Sequence, residues 1–249
     1  MSHDQELARR VRAALEVDPH VNLHRFPVEV HAEGEVVTLA GTVEDIIAKR
    51  RAVLAARAVD GVREVIDALR VQPAAHMGQD ECLQHVRDAL YEEPAFCDYQ
   101  LVTVNHKDER EVDRDPAQPA GEILVTVEPD HRVVLGGTVR SLSHRRLAEV
   151  LAWWVPGSTD VKNDLRVEPP EEDNDGEILD TVELVLDKDH LVDAGDMTVG
   201  CKDAVVTLSG GVPTGAQKRF AEYDAWYVSG VRDVINRLVP VDPTDPERA

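Results

Sequence analysis

The chain has 249 residues, a formal charge of −21 and an isoelectric point near 4.8. That balance argues against non-specific nucleic-acid binding, which needs a basic footprint, and against simple electrostatic docking to an anionic membrane. Aromatics are only 4% of the chain, so its cores must be built from Val, Leu, Ile and Ala, and three widely spaced cysteines (Cys82, Cys97, Cys201) form no disulfide ladder and fit a reducing compartment.

Residues 4–16 place Leu7, Val11, Ala14 and Leu15 at helical spacing with charge on the other face, and Asp18-Pro19 ends that helix. Val28 and Val30 alternate in a half-buried strand over 27–31, and Glu33-Gly34 turns the chain into a second strand at 35–40. After Gly41, Glu44 and Asp45 suit a helix start, and Ile46, Ile47, Val53 and Leu54 form its apolar stripe. Gly61 closes the helix, and 62–71 reads as a last strand. The unit is α-β-β-α-β. The N-terminal segment has no signal-peptide core or cleavage site, and no apolar run approaches the roughly eighteen residues of a spanning helix, so the expectation is a soluble cytoplasmic protein.

The second unit opens on a helical stripe of Cys82, Val86, Ala89 and Leu90. A candidate strand at 101–104 precedes a charged, Pro-bearing insertion near 105–121, and Ile123, Val125 and Val127 then alternate again. Either the hairpin carries a long excursion or an extra strand exists. Leu147, Val150, Leu151 and Trp154 mark the helix after Gly137, and 161–167 its closing strand. The acidic linker Pro169–Gly176 reads as mobile. The third unit has a short helix around Ile178, Val182, Val185 and Leu186, a strand near 197–199, a core strand ending at Gly210, a helix over 215–227 and a strand from Val231. The tail 242–249 reads as disordered.

One stretch is written three times: EVVTLAGTV at 35–43, HRVVLGGTV at 131–139 and AVVTLSGGV at 204–212. The registration persists beyond the strand. Gly41, Gly137 and Gly210 are each followed twenty residues later by Gly61, Gly157 and Gly230, then by Val65, Val161 and Val234, then by Leu69, Leu165 and Leu238. A fixed pattern over about thirty positions is the mark of a repeat protein. The expected fold is α+β, with three tandem domains at 1–73, 78–168 and 176–241.

This pattern of VxLxG, Gly-Val and V-x-[DN]-x-L resembles the BON domain (bacterial OsmY and nodulation). The matching residues include Val37, Leu39, Gly41, Val62, Val65, Asp67 and Leu69, then Val133, Leu135, Asn163 and Leu165, then Val206, Leu208, Val231, Asn236 and Leu238. Ser158 stands where the family has Val. The resemblance implies a bacterial, non-enzymatic binding module linked to phospholipid interaction, osmotic or envelope stress and, in one cytoplasmic type, potassium binding. Most family members are periplasmic and enter with a signal sequence, which is not seen here, nor is the LysM domain of the potassium-binding type.

The remaining motifs are weak. The ten histidines are scattered without metal-ligand spacing, so no metal or cofactor is expected. GDMTVGCK (195–202) has the glycines of a phosphate loop but lacks the following Ser or Thr and precedes a strand. EEDNDG (171–176) echoes a calcium loop through oxygen ligands at positions one, three and five, yet has Val182 where a bidentate Glu is required. No Ser or Cys nucleophile has a local base. Eight, nine and eleven residues past each strand glycine the chain writes basic, basic, Ala: Lys49-Arg50, Arg145-Arg146 and Lys218-Arg219, with Ala52, Ala148 and Ala221. These six basic residues are candidates for an anionic ligand, and the alternative is a snorkelling helix face paired with local carboxylates. The expected partner is a phospholipid or a protein; the alternative function is a potassium- or calcium-responsive binding protein.

Overall fold

The first helix, α1 (His3–Val17), begins on a reciprocal cap: the Ser2 hydroxyl accepts the Gln5 amide and the Gln5 side chain accepts the Ser2 amide. Leu7, Val11 and Leu15 bury one face of it. Strand β1 (Glu29–Glu33) pairs antiparallel with β2 (Val36–Val43), and helix α2 (Ile46–Arg57), capped by Asp45, crosses over to β3 (Glu64–Val71), parallel to β2. Parallel neighbours cannot be joined by a tight turn, so α2 is the link the sheet requires. Both helices pack on one side of the sheet β1-β2-β3, where Leu7, Val11 and Leu15 meet Val37, Leu39, Ala52, Ala56 and Leu69.

This computed structural model describes residues 2–241; the tail read as disordered, 242–249, lies outside the described residues. The chain divides into two units, one ending at Ala74 and one beginning at Ala75. The first holds one repeat and the second holds two.

The middle repeat runs α3 (Gln79–Glu92), β4 (Gln100–Val104), β5 (Arg110–Arg114), β6 (Glu122–Val127), β7 (Arg132–Val139), α4 (Leu142–Trp154), β8 (Asp160–Asn163) and β9 (Arg166–Val167). Its sheet order is β5-β4-β6-β7-β8, with β9 continuing beside β7. The repeat's own hairpin is β6–β7, so the two readings of 101–121 resolve into an added hairpin, β4–β5, laid parallel to β6 through β4. The single closing strand expected over 161–167 is split in two. At that break the Asp164 amide still donates to the Leu135 carbonyl. Ser158, in place of Val, donates its hydroxyl to the Ala152 carbonyl at 2.7 Å, which satisfies it in a buried position.

The last repeat runs α5 (Asp175–Lys188), β10 (Met197–Lys202), β11 (Val205–Val212), α6 (Gly215–Tyr227) and β12 (Asp233–Pro240), with sheet order β10-β11-β12. The expected short first helix has 14 residues, because Asn174 caps it through the Gly176 and Glu177 amides, and the turn before Ile178 belongs to it. Most of the phosphate-loop echo lies in β10, an extended strand whose backbone is occupied by pairing to β11.

The strand glycines share one conformation. Gly41, Gly137 and Gly210 have φ of +126°, +108° and +115°. Each faces the carbonyl of the neighbouring strand's entry residue, Pro27, Glu122 and Asp196 respectively. A side chain there would be strained and would also meet that oxygen.

Candidate functional site

The six basic candidates all sit on the second helix of their repeat, but the fold uses them differently. Lys49 is 3% exposed; its ammonium donates to Asp67 Oδ1 at 2.9 Å and to the Leu69 carbonyl at 2.7 Å. Arg145, at the same position, donates to the Leu165 carbonyl and to the Asn163 carbonyl, both at 2.9 Å. The first basic residue is therefore a brace from helix to closing strand in the first two repeats. In the third, Lys218 is half-buried and its main-chain carbonyl accepts from Asn236.

The V-x-[DN]-x-L residues complete that brace. Asp67, Asn163 and Asn236 each accept the amide two residues on, from Leu69, Leu165 and Leu238. Asn163 also donates to the Arg145 carbonyl and Glu149, and Asn236 to the Lys218 carbonyl and Glu222. The first repeat has Val53 where the others have Glu149 and Glu222, so an Asp facing a Lys replaces an Asn facing a Glu. Changing Asn236 to Asp turns a donor into a carboxylate facing the Glu222 carboxylate. The expected loss is about 2 kcal/mol, from a missing hydrogen bond and like-charge repulsion. Urea midpoints should record it, and Glu222→Val in the same chain should restore part of it.

Of the second basic residues, Arg50 is half-buried and Arg219 exposed, while Arg146 is 2% exposed. Arg146 lies between the middle and last repeats. Its Nε donates to the Ser229 carbonyl at 2.8 Å and its Nη2 to both Asp173 oxygens at 2.7 Å. The same joint holds the Lys188–Glu93 ion pair at 2.8 Å, the Trp154 indole donating to Asp224 at 3.1 Å, and Trp153 stacked on Tyr227. Helix α4 is consequently covered twice, by its own sheet and by α5 and α6, and Arg146 through Trp153 is a continuous buried run. The aromatic pairs fall sixteen and seventeen residues past the strand glycine, Trp153-Trp154 and Trp226-Tyr227; the first repeat has Arg57-Ala58 there.

The acidic linker is not the free segment expected. The carboxylates at the echoed first, third and fifth calcium positions have internal partners: Glu171 accepts the Leu142 amide, Asp173 holds Arg146, and Asp175 accepts the Asp203 and Ala204 amides. Those amides hold the Asp175 carboxyl below the usual carboxylate range. No group of three His, Cys, Asp or Glu side chains among the described residues is arranged to hold a metal ion, and no helix among them is long and apolar enough to cross a membrane.

The layers leave the far side of each three-stranded sheet open. There the first repeat presents Val36 and Thr38 with Ile66 opposite Thr38, and the last repeat presents Val205 and Thr207 with Ile235 opposite Thr207. Ile66 is 46% exposed and Ile235 39%.

Comparison with known proteins agrees with this repeat structure. The family model of the BON domain matches residues 3–73, 109–169 and 174–240. The osmotically-inducible protein Y of Escherichia coli (strain K12) is 33% identical over 164 residues, covering 66% of this chain and 72% of its own. Among solved structures, the C-terminal domain of CdsD, the structural protein of the type III secretion system of Chlamydia trachomatis, aligns over 95% of this chain and 98% of its own. It does so at 14% identity with a TM-score of 0.24, which bears on neither ligand nor assembly.

Proposed function

Because this chain belongs to the BON domain family, with three tandem copies, we propose that it is a non-catalytic binding protein that engages a phospholipid surface or a protein partner. The name of its Escherichia coli relative, osmotically inducible, extends the proposal to a role under osmotic stress. What carries the reading is the open sheet face that the first and last repeats share, with the Thr38–Ile66 and Thr207–Ile235 rows in the same register. Partly exposed isoleucines recurring at one position in two repeats offer apolar contact, the kind of attraction that a chain of net charge −21 retains in physiological salt.

The basic pairs support an anionic-headgroup site less well. Lys49, Arg145 and Arg146 bond to groups within the fold, and of the six only Arg219 is exposed. A potassium- or calcium-responsive role has still less support, since the linker carboxylates are engaged internally.

Co-sedimentation with neutral and anionic liposomes, at low and at physiological salt, tests the proposal. Binding to both kinds of vesicle that survives physiological salt is expected, together with its loss in the double variant Ile66→Glu, Ile235→Glu. Binding confined to anionic vesicles at low salt, and lost instead in Arg50→Glu, Arg219→Glu, would move the site to the helix face. No binding to either vesicle would remove the phospholipid half of the proposal and leave a protein partner.

A further inference from the structure

The joint between the middle and last repeats carries a chemical oddity. Among the described residues, the buried side-chain polar atoms without a hydrogen-bond partner are Arg146 Nη1, Trp153 Nε1, Asp224 Oδ2 and Ser229 Oγ. All four belong to residues of this joint. A permanent interface, like a core, leaves few such groups unsatisfied, since each costs its full desolvation. Their concentration in one place marks a contact that is closed at some cost.

Asp224 is the most telling of them. It is 2% exposed and accepts the Trp154 indole through Oδ1. The leucine or alanine of the other repeats (Leu151, Ala55) occupies the matching helix position. The charge that bears on it most, at the end of α5, is another carboxyl, Asp189, whose Oδ1 accepts the Leu191 amide at 2.8 Å. Burial and a like charge both disfavour an ionised carboxylate, so Asp224 suits this place only when it carries a proton.

The surrounding charges offer no alternative partner. On α4, Arg145 and Glu149 are tied to the closing strand of their own repeat and Arg146 to Ser229 and Asp173. On α5, Lys188 is held by Glu93, and His190 just beyond the helix is exposed. Strand β11 has no charged residue. Asp233 and Arg237 of β12 alternate with Asn236, which faces α6, and so lie on the opposite side of the sheet.

We propose that the joint between the second and third repeats is a proton-dependent clasp, closed while the buried Asp224 carboxyl keeps its proton and opened when that proton leaves. Opening would uncover the aromatic ends of α4 and α6 while each repeat kept its own sheet. Burial, and next the Asp189 charge, push the Asp224 carboxyl from the ordinary 3.8 up to about 8. Between those two values the closed state holds a proton that the open or unfolded state lacks. The joint therefore loses stability as pH rises from about 4 to about 8, and loses no more above that.

All three tryptophans of the chain, Trp153, Trp154 and Trp226, lie at the ends of α4 and α6. Their emission therefore reports on this joint. In the full chain, titrated from about pH 5 to about pH 9.5, the expected result is a red shift that is complete by about pH 8 and does not grow above it, with unchanged far-ultraviolet circular dichroism. Asp224→Asn should abolish the transition. Should that variant fail to fold, Asp189→Asn tests the same point: it removes the like charge, so Asp224 needs its proton less and the transition should shrink. A flat wild-type titration, a transition that persists unchanged in the variants, or one accompanied by loss of ellipticity would each overturn the clasp.

Discussion

Gly137→Ala and Gly210→Ala are each expected to destabilise the second unit by about 3–5 kcal/mol, among the largest effects a single methyl could have in this protein. Two costs add at these positions. The backbone sits at φ of +108° and +115°, a region that costs an L side chain about 1–3 kcal/mol. The new methyl would also press on the carbonyl oxygen of Glu122, inside the β6–β7 ladder, or of Asp196, next to the start of the β10–β11 ladder, and a backbone oxygen cannot swing aside as a side-chain end can. Gly41→Ala should cost less, since its methyl would stand 2.9 Å from the Pro27 oxygen, a looser approach than at the other two glycines. Gly34→Ala is the control: its φ is +61°, but nothing lies within 4 Å, so only the backbone cost remains. Urea melts of the four variants should fall in that order. Equal losses at Gly34 and Gly137 would remove the steric half of the explanation.

Arg146→Leu is the second large effect, an expected loss of about 3 kcal/mol. The guanidinium satisfies the Ser229 carbonyl and pairs with Asp173 while almost wholly removed from water. Asp173 is half exposed and would rehydrate after the change, but the Ser229 carbonyl would be left within the joint without its donor. Relief of the unpaired Nη1 offsets part of the loss. Arg219→Leu alters the matching position at an exposed site and should move stability by less than about 1 kcal/mol. The two residues are indistinguishable by their spacing from the strand glycine, so the contrast isolates what the joint adds. Thermal or urea melts read both, and equal small losses would show that Arg146 is not a tie between the repeats.

That contrast also shows where sequence stops informing. The strand glycines, the buried Val and Leu of each ladder and the Asp or Asn of the closing strand are legible because they answer to local geometry, and that geometry is written three times. The basic pairs have the same periodicity, yet their roles diverge. A helical position specifies a face, not whether a long side chain curls back to a carbonyl, as Lys49 does, or is covered by another repeat, as Arg146 is. The apolar stripe of α4 read from Leu147, Val150, Leu151 and Trp154 was too narrow for a similar reason. Ala148 and Ala152 face their own sheet as Ala52 and Ala56 do, but Trp153, whose match Arg57 is exposed, is covered by a second partner, Tyr227, that no single-helix period encodes. The β4–β5 hairpin is ambiguous from sequence because a four-residue stretch, 101–104, followed by a charged, Pro-bearing segment fits either a strand or an excursion.

The added hairpin has a consequence for colloidal behaviour. Strand β4 contains Leu101, Val102 and Thr103, all buried, and β5 is what covers its free hydrogen-bonding side. Strand β5 is Arg-Glu-Val-Asp-Arg, charged at four of its five positions, a sequence poorly suited to accept another strand. Were residues 105–121 trimmed as a dispensable loop, a flat apolar edge would be laid bare to template pairing with other chains. The insertion thus serves as the sheet's selvedge, and the acidic charge of the chain would then be the remaining guard against aggregation.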